Sequence, residues 1–164
     1  MRRKSLILAV VALAALAVAG AVIASRGGPS RQAEVAEKGA RVMPFDLERT
    51  THRFTKTATG GVQTVVADDP GDTGQIRLIR SHLKDEAARF ARGDFSDPTT
   101  IHGTDMPGVA ELSSGHRGVT TRYADRPDGA TLTYTTGDAG LRTALHAWFD
   151  AQVSDHGNHA EHGG

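Results

Sequence analysis

The sequence predicts an α+β domain: two ββα units forming a four-stranded antiparallel sheet with both helices on one face, behind an N-terminal transmembrane or signal helix. Three observations predict it. Two pairs of Thr/Val/aromatic-rich stretches each close around a glycine turn. Each pair runs straight into a stretch of helical apolar spacing. The halves also keep a common offset, Phe54 six residues before Gly60 and Tyr123 six before Gly129.

The first element is the apolar run Leu6 to Ala24, which follows the basic cluster Arg2-Arg3-Lys4. At ~1.5 Å per residue it reaches about 28 Å, close to the hydrocarbon thickness of a bilayer. Its basic start predicts the N-terminus inside and the domain outside. Ala17-Val18-Ala19 and Ala19-Gly20-Ala21 resemble signal-peptidase sites, so a cleaved signal and a retained anchor both stay open. Residues 1–24 are therefore read as signal peptide or anchor. The domain is then exported, either secreted or held at the cell membrane by a single pass, with that membrane as a partner.

Residues 25–43, rich in Gly, Pro, Ser, Arg, Gln, Glu and Lys, read as a flexible linker. Residues 44–154 read as the domain. Thr50 to Lys56 and Val62 to Ala67 flank Gly60-Gly61 as a hairpin. Asp69-Pro70 has the form of a helix start. Ile76, Ile79, Leu83, Ala87 and Phe90 then give one apolar face, and Gly93 a stop. The connection Asp94 to Gly118 is long, a length more often functional than idle, with a short helix predicted near Pro107 to Ser113. Val119 to Ala124 and Thr131 to Thr136 form the second hairpin around Arg126-Pro127-Asp128-Gly129, whose glycine suits a left-handed turn position. Asp138 caps a last helix carrying Leu141, Leu145, Trp148 and Phe149. Residues 155–164 read as a frayed, His-rich tail.

Composition excludes several chemistries. With no cysteine there are no thiolate nucleophiles, Cys-type zinc sites or iron–sulfur ligands. Setting aside Arg2, Arg3, Lys4 and Arg26 leaves 15 basic and 19 acidic residues, a net of −4. A mildly acidic domain with few aromatics does not suit nucleic acid. There is no Gly-x-Ser-x-Gly elbow and no phosphate loop, so the sequence leans away from an enzyme.

Eight histidines carry what chemistry remains. His52 shares a strand face with Phe54. His82 lies one turn from Glu86, and His146 one turn from Asp150. His102 and Met106 lie in the long connection. One site drawing together His52, His82, His102 and His146, completed by Met106 or His156, would hold zinc or copper. The alternative is that each is a boundary histidine, hydrogen-bonded to its neighbours and serving only the fold. The tail trio His156, His159 and His162 has the composition of a loose metal tract or of a solvated end.

Several stretches together have a further likeness. They are Thr50-Thr51-His52-Arg53-Phe54, Gly60-Gly61-Val62-Gln63, Ile79-Arg80-Ser81-His82-Leu83, Ile101-His102-Gly103 and His146-Ala147-Trp148-Phe149. The chain resembles a group of small exported bacterial proteins of uncharacterised function that commonly carry the label aspartate carbamoyltransferase. The likeness spans about residues 44 to 157 and implies an exported protein, with no catalytic or binding residues to carry over. The chain lacks the Ser-Thr-Arg-Thr phosphate motif of true aspartate carbamoyltransferases and is too short for their two α/β domains. Three readings therefore stand: a histidine metal site, a metal-free interaction or structural module, and a carbamoyltransferase-labelled protein without the phosphate motif.

Overall fold

The computed structural model describes residues 30–163. The apolar segment read as signal peptide or anchor lies outside the described residues. Among those residues no helix is long and apolar enough to cross a membrane.

The domain is α+β. Helix α1 spans Arg31–Val42, strands β1 Thr50–Thr57 and β2 Gly60–Ala67, and helices α2 Thr73–Phe90, α3 Ser96–His102 and α4 Val109–Ser114. Strands β3 Thr120–Arg126 and β4 Gly129–Thr135, helix α5 Ala139–His156 and strand β5 Ala160–His162 complete it. The sheet order is β3-β4-β2-β1-β5. Among the described residues it has five strands and is mixed, not four-stranded and antiparallel. β1–β2, β2–β4 and β3–β4 pair antiparallel, whereas β5 pairs parallel to β1, His52 opposite Ala160 and Phe54 opposite His162.

The fifth strand overturns the expected frayed tail. Helix α5 ends at Gly157, whose φ of +56° is a left-handed position. The chain reverses there and lies along β1, burying Ala160 and donating the Gly163 N–H to the Phe54 carbonyl. The expected linker is corrected as well. Its second half is α1, and the compact unit begins at Arg31, not residue 44. Val35 is 1 % exposed, and a Cβ at Gly39 would stand 2.8 Å from Leu47 Cδ1, so the helix lies hard against the segment that follows it.

Smaller corrections concern helix starts and turns. Asp72, not Asp69, caps α2 through Gln75 N at 3.1 Å, while Asp69 accepts from Gly71 N in the preceding turn. Asp138 caps α5 through Leu141 N at 3.0 Å, where the sequence placed it. Gly129 is not in the left-handed region; a Cβ there would stand 2.0 Å from the Val65 carbonyl oxygen, so strand approach dictates the glycine.

The core lies between the sheet and helices α2 and α5. Strands alternate, so Phe54, Val65, Leu132 and Tyr134 point to the helices. Trp148, fully buried on α5, meets Phe90, Phe95 and Tyr134 edge-on at centroid separations of 5.5, 5.8 and 5.9 Å. Phe90 and Phe95 stack at 4.3 Å. Each such aromatic contributes about 2–3 kcal/mol by leaving water.

Candidate histidine site

The other end of the same helix pair is polar. Where α5 passes Phe149 its inward face continues as Gln152 and His156, and where α2 passes Leu83 toward Phe90 it carries Glu86. Strand periodicity turns His52 inward beside Phe54 and Gln63 inward beside Val65. Helix α3 delivers His102 at its C-terminal end, 1 % exposed. Together with His82 these side chains surround a cavity of about 20 Å³.

Three imidazoles from three elements meet there. The His52 and His156 rings lie parallel at 5.7 Å, and His102 meets His156 edge-on at 4.9 Å. Phe45 packs on His52 at 5.8 Å and on His82 at 5.6 Å, closing the site from the α1 side. Asp155 Oδ2 lies 2.8 Å from His102 Nδ1 and 2.6 Å from Arg31 Nη2, which also donates to the His102 carbonyl at 2.6 Å. A carboxylate on Nδ1 fixes the His102 tautomer and leaves Nε2 as the ring's remaining nitrogen. By contrast His52 Nδ1 and Gln152 Oε1 are buried without a hydrogen-bond partner.

Burial sets the protonation of the cluster. It pushes His52 down to about 3, with the neighbouring imidazoles of His156, His82 and His159 adding to the effect. It pushes His156 down to about 4, reinforced by His102. His82 and His102 are lowered by burial too, although Asp155 partly opposes this at His102. All four rings are therefore neutral at pH 7. Glu86 moves the other way: burial raises it to about 8, against a hydrogen bond from Gln63 Nε2 at 3.2 Å. Gln63 in turn accepts from the Tyr134 hydroxyl at 2.7 Å. Burial works upward on Asp155, but Arg31 and His102 hold it below the usual carboxylate range.

Two residues expected at this site lie elsewhere. His146 Nε2 bonds the Gly60 carbonyl oxygen at 2.8 Å, at the turn end of the first hairpin. It sits ten residues before His156 on one helix, about 15 Å along the axis, so no ion could touch both. Met106 is buried in the apolar core beside Val109, and the backbone just beyond it, at Gly108, abuts Ala144. His52, His82, His102 and His156 do share one cavity. Among the described residues, no three His, Cys, Asp or Glu side chains stand close enough, as placed, to hold a metal ion.

Of Gln63, Glu86, Gln152 and Asp155, sequence reasoning named only Glu86, as the carboxylate one turn from His82. The burial of Glu86 and of Gln63 had a signal. Glu86 lies three residues after Leu83 and four before Phe90, on the apolar stripe, and Gln63 alternates in phase with Val65. A polar residue in an apolar phase marks a buried polar site. Comparison with known families, with curated proteins and with solved structures finds no match to this chain.

Proposed function

We propose that this is an exported domain, secreted or held at the membrane by its N-terminal segment, that binds one transition-metal ion at His52, His102 and His156. His82 and Glu86 lie at the same cavity. The observation that carries the reading is a space of about 20 Å³ lined by four imidazoles and a carboxyl. That volume admits one water-sized particle and no organic substrate. The donor set is imidazole and carboxyl without thiolate, which suits Zn²⁺ or Cu²⁺. Neutral rings are the ligand form, so a metal displaces no proton from them. His52 Nδ1, buried and unpartnered, gains its missing interaction. Taking up the ion draws the rings together, and His156, at the last turn of α5 before Gly157, is the ring with room to swing.

Thermal unfolding of the fragment starting at Arg31 tests this. Zn²⁺ or Cu²⁺ at one hundred times its dissociation constant stabilises by about 2.7 kcal/mol, a rise of several degrees. His102→Ala with His156→Ala removes the shift, and His146→Ala keeps it. If no divalent metal moves the transition, the histidines serve the fold alone and the metal-free interaction module is the better reading. A carbamoyl-phosphate role draws no support from the site, since among the described residues no arginine or lysine lines the cavity.

A further inference from the structure

Beside the histidine cavity lies a second and much larger space, a cleft of about 280 Å³ between α1, the segment 45–48 and the end of α5. Its walls are apolar: Ala36 and Ala40 from α1 face Phe45 and Leu47. Its polar lining is Gln32, His156 and His159 with the carboxylates of Asp46, whose Oδ1 accepts from the Glu48 N–H at 3.0 Å, and Glu48. His159 Nε2 lies 3.2 Å from Glu48 Oε1, and Glu48 is largely exposed, so that carboxylate is free to turn to a ligand. Among the described residues no lysine or arginine lines the cleft, which leaves it two carboxylates and no fixed cation. Ligand sites have this make-up, a mainly apolar wall with a few convergent polar groups in a volume starting near ~300 Å³.

We propose that this cleft is a binding site for a small organic ammonium ion, its apolar body against Ala36, Ala40, Phe45 and Leu47 and its charged nitrogen against Glu48. The cavity behind it is too small for any such molecule, so the two spaces take different ligands. They share one wall, His156. The ammonium site stands without the metal reading, and the two sites fail or succeed separately.

Calorimetric titration of the full chain with benzylamine, benzyl alcohol and benzoate, in metal-free buffer, tests the assignment. Benzylamine binds saturably, while the alcohol binds about two- to fivefold more weakly and the benzoate more weakly still. Glu48→Gln weakens benzylamine by about two- to fivefold, since it removes the charge of a largely exposed carboxylate and keeps the shape. Ala40→Leu fills the cleft from an exposed helix position and abolishes binding, with an unchanged circular dichroism spectrum showing that the fold persists. Benzoate binding as tightly as benzylamine would overturn the proposal. So would an absence of binding by all three probes, or full benzylamine affinity in the folded Ala40→Leu variant.

Discussion

Helix α5 has two buried stretches that do different work. Around Leu145, Trp148 and Phe149 it faces mainly rings and aliphatic chains, whose burial lowers the free energy of the folded state and outweighs the one cost there, a Trp148 Nε1 buried without a partner. Two turns later, around Gln152, Asp155 and His156, the same inward face meets imidazoles, a carboxylic acid and an amide oxygen with no partner. Equal burial has opposite consequences at the two ends. At the aromatic end it is the source of stability. At the histidine end it costs desolvation of groups that water would solvate better. A protein keeps such an end when another species supplies what burial took away, or when the polar network fixes one arrangement of the core.

The largest test strikes the aromatic end. Trp148→Ala removes the side chain on which Phe90, Phe95 and Tyr134 converge and costs about 3–5 kcal/mol, measured by urea unfolding. A loss under 1 kcal/mol would mean that this end is not the anchor of the fold.

The pH dependence of stability belongs to the other end. The unfolded chain takes up protons on its histidines near 6.5, whereas the folded domain refuses them until about 3 at His52 and about 4 at His156. Stability from these rings is complete above 6.5 and falls as the pH drops through that window. Glu86 has the opposite sign. Its folded form keeps a proton up to about 8 while the unfolded form loses it near 4.5, so its contribution is complete below 4.5 and fades as the pH rises toward 8. Several histidines outweigh one glutamate between those limits, which places the maximum melting temperature at about pH 6.5. Glu86→Gln flattens the alkaline side, steepens the fall between pH 6.5 and 4.5 that Glu86 had partly offset, and moves the maximum upward. An acid side equally steep in His52→Leu with His156→Leu would show that other groups govern it.

A third, smaller effect sharpens the contrast. His52→Leu replaces an imidazole whose Nδ1 is buried without a partner, and which also bonds the His159 backbone, with an apolar group of similar size. It should raise stability by about 1 kcal/mol at pH 5 in the absence of metal while removing any metal response. Destabilisation by the same amount would make His52 a structural residue. Smallest of all, Glu161→Gln breaks the exposed pair with Arg53 across β1 and β5 and costs less than ~1 kcal/mol, vanishing in 1 M salt.

The same contrast decides what could be read before the structure. Hairpins and the two long helices were legible because each writes a period, two for Phe54 and His52, three and four for Ile76 through Phe90. Trp148 and Phe149 announced their face in the same way. Helix α1 wrote no stripe: apart from Val35 and the terminal Val42 its apolar residues are alanines, so its docking rests on a close approach at Gly39 that composition does not encode. Strand β5 was illegible too, since three residues carry no period and its pairing partner lies more than a hundred residues away. Both elements close over the histidine end. Their omission is why the site was drawn with His146, which lies on the right helix at the wrong turn, and without Asp155.

Arg31 holds Asp155 and the His102 carbonyl at once. Force applied to the chain at residue 31 therefore reaches the histidine cluster through the Arg31 guanidinium, with the Gln32 bond to the Ser154 carbonyl beside it and the buried Val35 one turn on. Losing those Arg31 contacts would free His102 and Asp155 while the rings around Trp148, which touch none of these residues, keep their own packing.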